Sequence, residues 1–223
     1  MSDRSTESLL RELSRDLEPV RPIPRLHRVA LGAVGALVGV VALHALVGGG
    51  LPGLVPGVAW GDGAYWVVLI GLTLVAAGPL GTALAGAVPG RESAARSGRV
   101  VALLGAGLLG SGGVWWLVAS GAPEPAWPLA SSLGCAGRAA GLALAPGAVL
   151  GFFLGRAMAR RPLVRATWAS VGAVALGAIV VHTTCPDGGA LHVPLGHCVA
   201  PWLAALVLAF PLSLVARRVA RSV

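Results

Sequence analysis

The sequence predicts an all-α integral membrane protein: six transmembrane helices preceded by a short amphipathic helix in an N-terminal cytoplasmic tail. Three observations carry that prediction. Of the 223 residues, 56% are hydrophobic and 12% charged, and a mean hydropathy of +0.80 lies outside the range of soluble domains. Six charge-poor windows are each long enough to span ~30 Å of hydrocarbon, which takes ~20 residues of helix. All 17 basic side chains are arginines, and they cluster in every second connection.

Those clusters are Arg4, Arg11, Arg15, Arg21, Arg25 and Arg28; Arg91, Arg96 and Arg99; Arg156, Arg160, Arg161 and Arg165; and Arg217, Arg218 and Arg221. Basic loops stay on the cytoplasmic side of a bilayer. The alternation therefore places both termini and both basic loops in the cytoplasm of a bacterial cell, with the spans in its inner membrane. Only Arg138 breaks it. Residues 1–28 form the tail, 29–216 the six-helix transmembrane domain, and 217–223 a short basic C-terminus.

In the tail, Leu9, Leu10, Leu13 and Leu17 share a stripe about 100° wide on a helical wheel, with Arg11, Glu12, Arg15 and Asp16 outside it. Ser5 suits the N-cap, Glu7 can pair with Arg11 one turn on, and Pro19 with Pro22 ends the helix. A helix this short is marginal alone in water, so it needs a groove to fill. A helix that seeks a membrane surface is rich in basic residues and poor in acids. Here six arginines face Asp3, Glu7, Glu12, Asp16 and Glu18, a balance that favours a protein partner.

The first window, 29–47, carries Gly35 and Gly39 at close-packing spacing and His44 near its outer end. It starts too far behind an acidic tail to read as a cleaved signal peptide. The second (64–88) and third (100–119) have Trp60, Trp66, Trp115 and Trp116 at their outer ends, where an indole keeps its N–H wet. The fourth (139–157) is the tightest, bounded by Arg138 and Arg156, which can snorkel to the headgroups. It carries the ladder Gly147, Gly151, Gly155 just after Pro146. Small residues four apart mark a helix-packing face in lipid, either inside the bundle or between copies in an oligomer. The fifth (166–182) begins near Trp168. The sixth (195–215) contains Pro201, Trp202 and Pro211, and Trp127 lies in the loop before the fourth.

Composition also excludes function classes. The window interiors hold no Asp, Glu, Lys or Arg, whereas transporters and pumps need ionisable groups near mid-membrane. The pI of about 11.3 reflects arginines committed to orientation, so direct nucleic-acid binding is not expected, and the bilayer's anionic lipid is the counter-charge. No small-molecule substrate is expected.

The outer side holds all three cysteines, Cys135, Cys185 and Cys198. That side of the inner membrane is oxidising, and three thiols allow three pairings with one left over. His182, Cys185, Asp187, His192, His197 and Cys198 crowd into one segment. Such a set would take zinc or another divalent ion, although the spacing follows no standard zinc motif; no other cofactor is expected. Three uses stay open: a disulfide or redox-active pair, a metal site, or inert interfacial residues. No Cys-x-x-Cys pair or other activated nucleophile stands out, so the chain reads as no enzyme and has no catalytic residue. Arg138, three residues after Cys135, is placed to favour a thiolate there.

The tail LLRELSRDLEPVRPIPR, six spans, LGCAGR at the fourth span, and HTTCPDGG before a histidine-bearing start of the sixth together resemble the NrsF-like family of polytopic membrane anti-sigma factors. The resemblance implies that the cytoplasmic tail sequesters an extracytoplasmic-function sigma factor and releases it on a signal sensed by the membrane or periplasmic part. The matching tail positions are Leu9, Leu10, Leu13, Leu17, Pro19, Val20, Arg21 and Pro22. It further implies a pair of outer-face cysteines that takes part in sensing, matched here by Cys135 and Cys185, with Cys198 an extra. The competing readings are a small membrane transporter or channel, and a periplasm-facing thiol or metal-dependent membrane enzyme.

Overall fold

In the structure, a computed structural model, residues 6–15, 25–47, 62–121, 129–157 and 161–221 are described. Among them every regular element is helical: α1 (Thr6–Arg15), α2 (Leu26–Val47), α3 (Gly63–Gly86), α4 (Glu92–Ala119), α5 (Leu129–Arg156), α6 (Pro162–Thr184), then a π-helical turn (Val193–Val199) that runs into α7 (Ala200–Arg221). Six stretches, the π-turn and α7 counting as one, are long and apolar enough to cross a membrane. The chain is a multi-pass membrane protein, and each predicted window falls on one of these helices.

Helices α4 and α5 begin well before their windows, because charge ends an apolar window without ending a helix, while α3 stops at Gly86, short of position 88. Thus α4 starts at Glu92 and carries Arg96 and Arg99 in its first turns. Local chemistry sets the real ends. The Asp62 carboxylate accepts the Ala64 N–H at 2.8 Å and caps α3. The turn into α4 needs Gly90 at φ +81°, and the Glu92 carboxylate accepts the Gly90 N–H at 3.1 Å. Pro162 opens α6 at a position where its missing N–H costs nothing.

Helices α3 and α4 pack most intimately, through glycines seven residues apart on both. A methyl added at Gly71 would lie 2.8 Å from the Leu109 amide nitrogen, one at Gly105 2.7 Å from that of Val75, and one at Gly98 2.6 Å from the Thr82 hydroxyl. Backbones this close gain dispersion contacts that lipid cannot replace. The Thr82 hydroxyl locks the pair by donating to the carbonyls of Gly78 (2.9 Å) and Ala95 (3.3 Å).

Helix α6 is the centre of the bundle, in contact with α3, α5 and α7. Gly172 lets Leu80 in, and Gly177 rests on the Ala139 carbonyl. Helix α2 lies outermost, with Val29, Ala33 and Leu37 buried on the side where it meets α5. The opposite surfaces, including Leu103, Leu104, Leu203, Val207 and Phe210, are exposed and apolar, as a lipid-facing shell requires.

Two members of the predicted glycine ladder have their partners inside the chain. Gly151 meets Leu212 and Val215, and Gly155 meets Val219 and the Ala216 carbonyl. Gly147 borders a cavity of about 150 Å3 shared with Pro211 and Leu212. Gly151 and Gly155 are thus the seat of α7 on α5. Arg165 is likewise more than an anchor: its guanidinium presses on Gly86 and donates to the Thr82 carbonyl at 3.3 Å, tying α6 to α3.

Candidate functional site

The functional side chains gather where α3 and α5 begin and α4 and α6 end. Cys135 sits in the second turn of α5, one turn after Ser131 on the same face. Cys185 caps α6, its N–H donating to the Val181 carbonyl at 2.8 Å. His192 immediately precedes the π-turn and His197 lies within it. Five residues apart, these two would diverge by about 140° around an α-helix of 3.6 residues per turn. The wider π-turn, closed by i to i+5 bonds such as Ala200 N–H to Leu195 C=O, brings them to one face with ring centroids 5.2 Å apart. Turns of this kind are frequent at functional sites.

The two thiols face each other, Cys135 Sγ lying 3.6 Å from Cys185 Sγ. His192 Nε2 points between them, 3.5 Å from Cys135 Sγ and 3.4 Å from Cys185 Sγ. Its Nδ1 faces the Asp187 carboxylate at 3.1 Å and the Ser131 hydroxyl at 3.0 Å. An ionised carboxylate only accepts, so Nδ1 carries the proton and the Nε2 lone pair looks into the cluster.

A second chain of bonds fixes His197. His182, in the last turn of α6, places Nε2 3.3 Å from the Tyr65 carbonyl, an acceptor, so Nε2–H donates there. Its Nδ1 must then accept from His197 Nδ1, 2.9 Å away. This leaves the Nε2 lone pair of His197 buried and, among the described residues, without a hydrogen-bond partner. Tyr65 stacks on His182 at 4.7 Å, and Trp116 closes the edge, its indole N–H donating to the Gly188 carbonyl at 3.3 Å.

Cys135, Cys185, His192 and His197 each offer one ligand atom, and all four atoms lie within 4.8 Å of one another. The arrangement suits either of two chemistries: a soft, four-coordinate cation, or pairing of the thiols. Beside it opens a cavity of about 320 Å3, lined by Asp62, Tyr65, Trp116, Asp187 and the cluster's own Cys185 and His197.

Compared with the sequence-based set, the group gains Cys135 and loses three members as ligands. Asp187 and His182 stand behind the histidines. Cys198 faces α4, its Sγ 3.4 Å from where a methyl on Gly113 would sit. Ser131, the Tyr65 carbonyl and the π-turn were missed, although the i to i+4 spacing of Ser131 and Cys135 and the five-residue spacing of His192 and His197 are visible signals. Arg138 is exposed and borders a different cavity, with Val40, Leu142 and Thr184.

At the other end of the chain, α1 is strongly amphipathic and Leu10 is 59% exposed. The side chains of Leu9 and Leu13, and all of Leu17, Pro19, Val20, Arg21 and Pro22, lie outside the described residues, as do Ser5, Trp60, Trp127 and the side chain of His44.

Residues 13–221 match the NrsF family, described as negative regulator of sigma F. No curated protein and no solved structure matches the chain.

Proposed function

The chain belongs to the NrsF family of negative regulators of sigma F, and on that premise we propose that it is an anti-sigma factor that holds an extracytoplasmic-function sigma factor at the bacterial inner membrane. The arginine-rich end faces the cytoplasm. The cysteine-bearing end faces out and carries the sensing element, with Cys135 and Cys185 as its reactive pair. The protein acts by binding rather than by catalysis.

The observation that carries this reading is the extent of the family match, from within α1 to the end of α7. The tail fits the role. An amphipathic helix lays its apolar stripe into a groove on a partner, so Leu9, Leu10, Leu13 and Leu17 are the anchors, and Pro19, Val20, Arg21 and Pro22 continue the contact. Leu10 on α1 is exposed, available to such a groove.

Release is a two-state problem. Converting a complex from 99% bound to 99% free takes ~5.5 kcal/mol of differential binding. Linking two thiols or binding a metal works on that scale. The thiol and imidazole donors come from α5, α6 and the turn into α7, so a change there repacks helices whose other ends carry Arg156, Arg165 and Arg218. The reading is tested by isolating the full-length chain from membranes of its native bacterium. A sigma factor should co-purify with it and be lost from the Leu13→Asp variant. Equal recovery with both proteins, or none with either, removes the reading.

A further inference from the structure

We propose that Cys135 Sγ, Cys185 Sγ, His192 Nε2 and His197 Nε2 form a tetrahedral site for zinc(II), with Asp187 and the Tyr65–His182 pair as its positioning groups. For its regulatory meaning the proposal rests on the cluster being the sensing element; as a metal site it stands on geometry alone.

The distances match a zinc polyhedron. With Zn–S of ~2.3 Å and Zn–N of ~2.0–2.1 Å, a regular tetrahedron has S···S edges of ~3.8 Å and S···N edges of ~3.5 Å. The corresponding separations are 3.6 Å between the thiols and 3.5 and 3.4 Å from them to His192. His197 closes the set, one of its ring nitrogens lying with the other three donors inside 4.8 Å.

Hydrogen bonding among thiols and imidazoles accounts for His192 but not for His197. A buried lone pair with no partner costs free energy unless something fills its direction. His197 is 2% exposed and its Nε2 has no partner among the described residues, while its Nδ1 is taken by His182. A cation among the four donors gives that lone pair its use.

The surrounding layer has the form that metal-binding histidines require. Such a histidine donates its second N–H to a carboxylate or other acceptor, which fixes its tautomer and aims its lone pair. His192 does so to Asp187. His197 does so to His182, which is itself fixed by the Tyr65 carbonyl. Both relays end on atoms that cannot donate, so both Nε2 lone pairs are forced. Two thiol sulfurs and two imidazoles select a soft or borderline ion over calcium or magnesium. The adjoining cavity, with the Asp62 and Asp187 carboxylates on its wall, gives that ion a route in.

The test uses the reduced full-length protein in detergent micelles, titrated with cobalt(II) as a spectroscopic stand-in for zinc. One equivalent should give the intense visible bands of tetrahedral, thiolate-bound cobalt, and zinc should bleach them. His192→Ala and His197→Ala should each abolish the tetrahedral spectrum, Cys198→Ser should leave it intact, and Asp187→Asn should weaken binding roughly 10–100-fold. Circular dichroism and gel filtration confirm that each variant is folded. An absent spectrum in the wild-type protein, one unchanged in both histidine variants, or one lost in folded Cys198→Ser overturns the site. Sigma-factor retention is scored on the same preparations. Retention before titration, without cobalt binding afterwards, removes the metal site and leaves the anti-sigma reading in place; cobalt binding by a protein that carried no sigma factor even before titration upholds the site and removes that reading.

Discussion

Replacing Gly78 by alanine tests whether the α3–α4 glycine packing holds the bundle together. A methyl there would sit 2.6 Å from the Gly98 carbonyl oxygen and closer still to the Ala102 amide nitrogen, backbone atoms that cannot rotate away. Ordinary contact begins near ~3.5 Å, so the two helices must part by about 1 Å at that level. The Thr82 bonds to Gly78 and Ala95 sit next to the clash and are stretched by the separation. Overpacking of this kind costs about 1–3 kcal/mol, and at roughly 2–4 °C per kcal/mol for a chain of this size a loss of about 2 kcal/mol lowers Tm by roughly 4–8 °C. Gly81→Ala, on the same helix with nothing within 4 Å, is the control; its gain in helix propensity, at most ~1 kcal/mol, predicts an equal or higher Tm. Thermal unfolding in detergent, followed by circular dichroism, reads both. A Gly78→Ala protein as stable as Gly81→Ala would refute the packing argument.

Three further outcomes follow from the same geometry. A mild thiol oxidant should join Cys135 to Cys185, the pair losing two protons and two electrons to the oxidant, because only 3.6 Å separates the sulfurs and a disulfide closes at ~2.05 Å. Peptide mass mapping should find that link with Cys198 still reduced, and a link to Cys198 would contradict the geometry. Arg165→Ala should cost about 1 kcal/mol by removing the donor to Thr82, whereas Gly86→Ala should displace the same guanidinium; unfolding of the double variant should therefore be less damaged than the sum of the two singles. Gly151→Leu should clash with Leu212 and Val215 and lower Tm, while Gly35→Leu, where nothing lies within 4 Å, should leave it unchanged.

Six spans were legible because two independent constraints agree on them: apolar length against bilayer thickness, and arginines on every second connection. Helix ends were less legible, since α4 and α5 carry their arginines inside the helix and the true stops are set by Asp62, Gly90 and Pro162. The α5 ladder was found by its four-residue spacing, but its partner was not, because spacing marks a face without saying which helix meets it. The α3–α4 packing escaped for the opposite reason: its glycines, at 71 and 78 and at 98, 105 and 112, repeat every seven residues rather than every four. At the site, residue types gave the histidines and Cys185. The resemblance paired Cys135 with Cys185, whereas the place of His197 in the cluster and the exclusion of Cys198 depended on the π-turn, which contains both residues. No hydrophobic period reports such a change of helical hand-hold.

In the proposed function the tail holds a sigma factor at the membrane. Quantitative mass spectrometry of that sigma factor, bound to the full-length chain recovered from native membranes, tests it most directly when wild-type and Leu13→Asp proteins are compared at equal abundance. The wild-type protein should carry near-stoichiometric sigma factor and the variant at least tenfold less, equivalent to ~1.4 kcal/mol of binding, with a matching rise in transcription from the sigma factor's promoters. Equal sigma factor on both proteins, with unchanged transcription, would contradict it.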